Sequence, residues 1–308
     1  MSYFDNKLKL ELNKLGILKI NEPLKNYTSF KTGGPADFII WPNDQNSLKE
    51  IILLSREESV TVTLLGGCTN LLVGDKGIRG VVIMQNSASG KIKGKISVQD
   101  DGLVYSDAIN LKEKFLNYCV DFGYEGMEFM AGIPGCIGGG IVMNAGTIDG
   151  NFADILTSIS IMNTEGVVTN CSLAKNAAGY RTMGIPKEYI VLGGYFKMQR
   201  TPDKEKVKAK IDRLLQERKS KHPLNYPSAG SVFKNPAGYS SWKLVDESGL
   251  KGKGIGGARV SELHTNFIIN SGNATSLDIL TLINLIKETV YNRFKIILEP
   301  EIKMVGEF

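Results

Sequence analysis

"GIPGCIGGGIVMNAG", residues 132–146, contains six glycines in fifteen positions, where an average usage of about 7% would supply roughly one. Glycine loses more conformational freedom on folding than any other residue, at a cost of about 0.5–1 kcal/mol relative to alanine in a regular element. Such a concentration therefore indicates a backbone that turns where a Cβ atom cannot follow, or one that a ligand approaches closely. Spacing alone leaves both interpretations open.

A second glycine cluster, "LLGGCTNLLVGD" at residues 64–75, directly follows an apolar strand pattern. Successive backbone N–H groups in such a turn can form an anion-binding concavity. The cluster lacks the Lys-Ser/Thr pair of a P-loop, and neither cluster fits the G-x-G-x-x-G fingerprint of a Rossmann dinucleotide site. Each cluster is therefore either a tight turn or a phosphate site of another kind.

The composition is that of an ordinary globular protein: 308 residues, 42% apolar and 22% charged, enough for two or three domains. The four cysteines are scattered, with no CxxC pair and no neighbouring histidine, so neither a zinc site nor a disulfide scaffold is predicted. The N-terminal segment lacks the apolar core of a signal peptide, and no stretch approaches the roughly eighteen apolar residues of a membrane span. We expect a cytoplasmic protein with no metal site and no membrane anchor.

Alternating helix and strand patterns divide the chain into three predicted regions, residues 1–84, 85–200 and 201–308. The third region begins with a basic helix over residues 203–221, which carries eight Lys or Arg residues against four Asp or Glu residues. This helix has no aromatic residue that could stack on a base, so a solvated face is favoured over nucleic-acid binding.

The predicted elements follow the hydrophobic periodicity. Strands are predicted at residues 36–42, 60–67, 78–85, 102–109, 156–171, 188–199, 266–270 and 296–305, and helices at 47–58, 111–123, 203–221 and from about residue 275 onward. In the last helix one apolar stripe is predicted to be core, formed by Ile279, Leu282, Ile283, Ile286 and Val290.

Candidate chemical side chains are concentrated in the third region: Ser231, Lys234 and Asn235 in "YPSAGSVFKNP", and Glu299 and Glu301 in "LEPEIK". As strand positions two apart, the two carboxylates could share one face, although a solvent-exposed strand end explains their spacing equally well. Ser231 does not lie in a G-x-S-x-G elbow, so an acyl-enzyme hydrolase is not indicated. Each of the two histidines, His222 and His264, is expected to be a surface residue or a hydrogen-bonded structural residue rather than a base. The residues alone indicate an enzyme-like α/β protein that can bind a phosphorylated ligand.

Six segments carry a family resemblance, in this order along the chain: "YTSFKTGGPADF", "GGCTNLLVGD", "GIPGCIGGGIVMNAG", "SAGSVFKNP", "GLKGKGIGGARVSELHTNFIINSGNAT" and "LEPEIKMVG". Together they closely resemble the UDP-N-acetylenolpyruvoylglucosamine reductase family, flavoenzymes that make UDP-N-acetylmuramate for bacterial peptidoglycan. The resemblance runs from about Asn26 to the C-terminus. A long tyrosine-bearing insertion is absent, so the chain is similar to the shorter subtype of the family.

The resemblance implies an α+β fold: a two-lobed FAD-binding domain of the vanillyl-alcohol-oxidase (PCMH) type, residues 1–84 and 85–200, and a C-terminal α+β substrate-binding domain, residues 201–308. The FAD would be bound non-covalently. Its pyrophosphate would contact one set of residues, Gly66, Gly67, Cys68, Thr69, Asn70 and Leu71. A second set would approach it from the other side and reach the flavin, comprising Gly132, Ile133, Pro134, Gly135, Gly138, Gly139, Asn144 and Ala145. A side chain at Gly138 or Gly139 would be expected to expel the cofactor before it unfolds the protein.

The chemistry that the resemblance implies has two half-reactions in one cleft. NADPH reduces FAD and leaves, and UDP-N-acetylglucosamine enolpyruvate then enters and receives a hydride at C3. Ser231 would donate a proton to C2, while Arg181 and Glu301 would hold and polarise the carboxylate end; the planar guanidinium of arginine suits a carboxylate. Lys234 and Asn235 would contact the phosphates or uridine. No nucleic acid, membrane or obligate protein partner is implied.

The sequence departs from the usual family pattern at several positions: Met183 replaces a serine two residues after the motif arginine, Ser241-Trp242 replaces Ala-Gly, and Leu263 replaces a lysine. Two other hypotheses make different predictions. A flavin oxidase with covalently tethered FAD would keep its flavin after acid denaturation. A catalytically silent or nucleic-acid-binding protein that uses the helix at residues 203–221 would be colourless.

Overall fold

The computed structural model describes residues 3–87, 92–172 and 178–308. The chain divides into two compact units, one comprising Met1–Lys19, Phe38–Gly67 and Gly80–Gln216, and the other Ile20–Asp37, Cys68–Arg79 and Glu217–Phe308. The two units group the residues differently from the three predicted regions, because both predicted FAD-binding lobes contribute to the first unit. No helix among the described residues has the length and apolarity needed to cross a membrane.

The described ranges contain seven α-helices: α1 (Tyr3–Leu15), α2 (Gln45–Glu57), α3 (Lys112–Phe122), α4 (Ile137–Val142), α5 (Lys204–Lys221), α6 (Ser241–Glu247) and α7 (Ser276–Phe294). Short 3₁₀ helices lie at Leu24–Asn26, Glu128–Met130 and Phe152–Asp154. The four helices predicted from periodicity are confirmed as α2, α3, α5 and α7. Helix α4 lies inside the glycine-rich stretch, where low helix propensity gave no signal.

The same ranges contain eighteen strands: β1 (Gly16–Pro23), β2 (Pro35–Pro42), β3 (Val62–Leu65), β4 (Leu71–Val73), β5 (Ile78–Met84), β6 (Ile96–Val98), β7 (Val104–Asp107), β8 (Tyr124–Glu125), β9 (Gly146–Thr147), β10 (Gly150–Asn151), β11 (Leu156–Met162), β12 (Val168–Ser172), β13 (Ile190–Phe196), β14 (Gln199–Arg200), β15 (Gly254–Ile255), β16 (Ala258–Val260), β17 (Ile268–Asn270) and β18 (Lys303–Val305). Each predicted strand region contains at least one of these strands.

The first unit is built around a five-stranded sheet of order β12-β11-β13-β7-β6, in which every neighbouring pair is antiparallel. A separate four-stranded sheet has the order β1-β2-β5-β3, with β3 and β5 parallel. Aromatic side chains fill the core between α3, α4 and the five-stranded sheet, including the fully buried Phe115, Phe152 and Phe196. Helix α5 adds Val207 and Ile211 to this core, and its basic residues are exposed except for the partly buried Arg218.

The second unit packs α6 and α7 with the antiparallel sheet β15-β16-β17. All five residues of the predicted α7 stripe are fully buried. The helix begins at a capping box, in which Thr275 and Asp278 exchange backbone-to-side-chain hydrogen bonds. The strand predicted over residues 296–305 was too long: it shortens to β18, which pairs in parallel with β4. Pro300 supplies no N–H to a ladder, and it makes only an isolated bridge to Phe233.

Candidate functional site

The two glycine-rich clusters meet in the first unit. A Cβ atom added at Gly67 would lie 2.6 Å from the Cα atom of Gly135 and 3.2 Å from the backbone nitrogen of Cys136. Real side chains do not tolerate such distances, so this close approach of two turns requires glycine. On the other side, the Asn86 side-chain amide donates to the Gly66 carbonyl oxygen at 2.8 Å and holds the first turn in place. The sequence predicted both turns, but not that they touch.

The glycines of the 132–146 stretch serve different purposes. Gly132 and Gly135 have φ values of +70° and +100°, so they make a turn that other residues rarely adopt. A Cβ atom at Gly138 would lie 2.8 Å from the Ala108 Cβ atom, inside the unit. A Cβ atom at Gly139 would have no neighbour within 4 Å. A side chain at Gly138 would therefore disturb the packing between α4 and Ala108, so the expectation that it expels the cofactor before it unfolds the protein fits Gly139 better than Gly138.

Arg181 lies in a tight turn next to the end of the glycine-rich stretch. Its Nη1 atom donates to the Gly146 carbonyl oxygen at 3.2 Å, and its guanidinium lies 5.1 Å from the centre of the Tyr180 ring. The backbone of Arg181 has a φ of +60°, which places it in the sparsely populated left-handed region. Met183, one of the departures from the family pattern, is 1% exposed and packs in the core of the unit. A buried apolar side chain thus anchors this turn.

Asn144 connects that turn to the glycine-rich stretch. Its side-chain Nδ2 donates to the Gly179 carbonyl oxygen at 3.1 Å, and its Oδ1 accepts from the Ala153 backbone N–H at 3.0 Å. The backbone of Asn144 has a φ of +40°, a conformation that asparagine tolerates better than most residues. Asn144, predicted as a flavin contact, therefore bonds to the loop that carries Arg181.

In the second unit, Ser231 and Glu301 lie on neighbouring extended segments. The Glu301 backbone N–H donates to the Val232 carbonyl oxygen at 2.7 Å, one residue after Ser231. The Asn266 side chain fixes this segment by bonding both the N–H and the carbonyl oxygen of Phe233, at 2.9 and 2.8 Å. Both candidate side chains are half-buried. The backbone segments that carry the predicted proton donor and the predicted carboxyl group are thus neighbours within one unit.

Of the remaining candidates in this unit, Lys234 forms an ion pair with Glu299 at 3.2 Å between Nζ and Oε2. Both side chains are substantially exposed, at 34% and 69%, so the pair adds little stability. The Asn235 side chain accepts from the Ser241 backbone N–H at 3.0 Å and so holds the start of α6. Asn235 itself is exposed, but its amide oxygen already has a partner within the protein.

The predicted pyrophosphate loop continues into the second unit as residues 68–71. The Cys68 carbonyl oxygen accepts from the Ser29 backbone N–H at 3.1 Å, and Cys68 has a φ of +52°. The Asn70 side-chain amide donates to the Glu301 carbonyl oxygen at 3.2 Å, and the Asn70 carbonyl oxygen accepts from the Lys303 backbone N–H at 2.9 Å. Asn70, predicted as an FAD contact, therefore also holds the backbone of Glu301.

The rings of the two histidines contact each other in the second unit, and neither histidine was predicted to be catalytic. The rings of His222 and His264 meet edge to face, with centroids 5.5 Å apart, and each lies 4.9 Å from the Phe267 ring. Burial, with a smaller contribution from the nearby Arg218, His264 and Lys221, lowers the pKa of His222 to about 4. Burial also lowers the pKa of His264. Both rings are neutral near pH 7, which agrees with the structural role expected from the sequence.

Comparison with known proteins gives two family matches. Residues 36–172 match the family described as FAD binding domain, and residues 222–305 match UDP-N-acetylenolpyruvoylglucosamine reductase, C-terminal domain. These matches confirm the predicted fold class, a mixed α and β FAD-binding domain combined with a C-terminal domain.

Similar individual proteins span nearly the whole chain. The UDP-N-acetylenolpyruvoylglucosamine reductase of Clostridium tetani is 38% identical over 310 residues, covering 100% of this chain and 99% of the relative. That of Caldanaerobacter subterraneus is 42% identical over 303 residues, covering 98% of each. Among solved structures, UDP-N-acetylenolpyruvylglucosamine reductase from Thermus caldophilus is 29% identical with a TM-score of 0.77, and the alignment covers 94% of this chain and 99% of that one.

Proposed function

Because the chain belongs to the UDP-N-acetylenolpyruvoylglucosamine reductase family, and is therefore an FAD-dependent oxidoreductase, we propose that it reduces UDP-N-acetylglucosamine enolpyruvate to UDP-N-acetylmuramate. NADPH would be the electron source, and the reaction would supply a peptidoglycan precursor in the cytoplasm. The observation that carries the proposal is the contact of the two glycine-rich turns at Gly67 and Gly135. These are the two segments that the family resemblance assigns to the cofactor.

The residues present fit an FAD group. The turn at residues 132–135 has the positive φ angles of an anion-binding backbone, and the space beside Gly139 is open. Gly66, Gly67 and the following residues to Leu71 would hold the pyrophosphate, with the stretch from Gly132 to Ala145 on the other side. When bound, FAD would supply the redox chemistry that moves a hydride equivalent from NADPH to C3 of the enolpyruvyl group.

The protein's own contribution to the second half-reaction would be charge and a proton. Adding a hydride at C3 places negative charge on the carboxylate end of the enolpyruvyl group. Arg181 would hold that end with its planar, permanently charged fork, and its hydrogen bond to Gly146 restricts the guanidinium to one side of the turn. Glu301 would assist at the same end.

Ser231 would complete the reaction by donating its hydroxyl proton to C2. A positioned proton donor of this kind typically contributes about 10²–10⁴ in rate. The neighbouring backbone is well fixed for the purpose, because Val232 accepts from Glu301 and Phe233 is bonded twice by Asn266. Lys234 would contact a substrate or NADPH phosphate by exchanging its exposed partner Glu299 for the ligand, and Asn235 would contact the same ligand.

The test is NADPH oxidation by the purified protein with and without UDP-N-acetylglucosamine enolpyruvate, followed by separate stopped-flow measurement of the two half-reactions. We expect a yellow protein, flavin released by acid denaturation, and substrate-dependent NADPH oxidation. The variant Ser231→Ala should keep flavin reduction by NADPH and slow flavin reoxidation by substrate about 10²–10⁴-fold. Equal damage to both half-reactions would contradict the proton-donor role, and no substrate-dependent oxidation in the unaltered protein would contradict the function.

A further inference from the structure

The first unit contains a buried lysine directly behind the glycine-rich turn. Lys112 is the first residue of α3, yet it is only 5% exposed. Lysine is almost never buried to this extent, because its ammonium group is strongly hydrated and loses that hydration on burial. The ammonium group therefore needs hydrogen-bond acceptors in place of the lost water, and the N-terminus of a helix does not provide them.

Two hydrogen bonds of Lys112 lead to one turn. Its Nζ atom donates to the Pro134 carbonyl oxygen at 2.8 Å, and its backbone N–H donates to the Gly135 carbonyl oxygen at 2.9 Å. The preceding residue, Leu111, forms a bridge with Cys136. Two consecutive carbonyl groups of the turn are thus held by a single residue.

That turn is also the one that touches the other glycine cluster. Gly135 lies against Gly67 so closely that no Cβ atom fits between them. Any movement of residues 134–135 therefore changes the distance between the two turns. A residue that fixes Pro134 and Gly135 fixes the geometry with which both turns meet a ligand.

The positive charge of Lys112 also acts on the residue that follows the 132–135 turn. Burial raises the pKa of the Cys136 thiol to about 11, while the Lys112 cation opposes that rise. The positive field of the ammonium group thus extends along the turn to residue 136. A methionine would fill the same volume without a desolvation cost, so packing does not account for a cation at this position.

We propose that Lys112 is a positioning residue for the FAD pyrophosphate: its buried ammonium group holds the 132–135 turn and gives that turn a positive charge for the dinucleotide's phosphates. The inference rests on FAD binding and is independent of the roles proposed for Arg181, Ser231 and Glu301. The residue was missed in the sequence because one lysine at a helix start matches no motif.

The test compares two flavins on flavin-free protein by fluorescence titration. The variant Lys112→Gln keeps an N–H donor and removes the charge, whereas Lys112→Arg keeps the charge. Lys114→Gln is the matched control, because Lys114 is an exposed cation on the same helix. FAD carries the pyrophosphate, and riboflavin carries no phosphate.

We expect Lys112→Gln to weaken FAD binding at least about tenfold, to leave riboflavin binding within about twofold, and to flatten the salt dependence of FAD binding, since screening acts on charge. Lys112→Arg should stay close to the unaltered protein, and Lys114→Gln should have no effect. Unchanged FAD affinity in Lys112→Gln, equal loss for both flavins, or an equal effect of Lys114→Gln would overturn the proposal. If Lys112→Gln does not fold, Lys112→Met must show the same selective loss of FAD.

Discussion

Gly138 and Gly139 are adjacent in α4, and the structure predicts opposite results when each is replaced. At Gly138 an added Cβ atom would lie 2.8 Å from the Ala108 Cβ atom and 3.3 Å from the Ala108 carbonyl oxygen, well inside the usual carbon–carbon separation of about 3.5–4.0 Å. At Gly139 nothing lies within 4 Å. Substitutions at these two adjacent positions therefore distinguish an effect on packing from an effect on ligand contact.

The magnitudes follow from these distances. Overpacking at Gly138→Ala should lower the free energy of unfolding of the flavin-free protein by about 1–3 kcal/mol. Gly139→Ala should raise it by about 0.5–1 kcal/mol, because alanine is the better helix former and meets no obstacle. The two variants should thus differ by about 1.5–4 kcal/mol. Urea unfolding of the flavin-free proteins, followed by circular dichroism, measures the difference.

FAD binding should be affected more directly by substitution at Gly139, where the protein tolerates a side chain. Gly139→Leu places a branched side chain in the open space proposed for FAD, so FAD affinity should fall at least about tenfold, or about 1.4 kcal/mol, while the protein stays folded. Fluorescence titration with FAD measures this loss, and Gly139→Ala should show a smaller one. A folded Gly139→Leu protein that binds FAD as tightly as the unaltered chain would refute the assignment of this surface. A Gly138→Ala protein of unaltered stability would refute the packing argument.

Three further outcomes are expected. The variant Asn144→Gly removes both side-chain hydrogen bonds without backbone strain, and should slow substrate-dependent flavin reoxidation about 10–100-fold by displacing Arg181; stopped-flow traces with an unchanged reoxidation rate would contradict this. Because the pKa of His222 is lowered to about 4, the unfolded chain binds a proton more readily below about pH 6.5. The free energy of unfolding should therefore fall by about 1 kcal/mol, discounted for screening, between pH 7 and pH 5, and His222→Gln should reduce that fall in urea titrations at both pH values. Thr275→Ala should lower the free energy of unfolding by about 0.5–2 kcal/mol through loss of the α7 cap, as measured by urea unfolding, with Thr281→Ala on the same helix as the control.

Elements with a local signal could be predicted from the sequence. Helix α7 has its cap at Thr275 and its apolar stripe at helical spacing, so its start and its buried face both follow from residues within one element. The strand expected over residues 296–305 failed because its pairing is not local. Its partners are β4, which lies far earlier in the chain, and the bridge at Phe233. Periodicity carries no information about which segment, if any, will pair with a strand.

The candidate site also has features that follow from local sequence and features that depend on residues distant in sequence. The family motifs placed Ser231 and Glu301 in separate segments, and only the backbone bond between Glu301 and Val232 shows that these segments are neighbours. Asn144 and Asn70 were predicted as FAD contacts, yet each also fixes a segment that carries a candidate catalytic residue. A motif identifies which residues are special, whereas the direction of an amide side chain depends on atoms distant in sequence.

The glycine-rich stretch shows that a motif can identify the right positions without giving the physical reason for each glycine. Gly132 and Gly135 are explained by their positive φ angles, and Gly138 by its contact with Ala108. Neither reason applies to Gly139, which lies in a helix with open space beside it. Helix propensity alone would favour alanine there by about 0.5–1 kcal/mol. An FAD bound against that surface would account for a glycine at this position, so substitutions at Gly139, more than at its neighbours, distinguish a flavin site from a tightly packed turn.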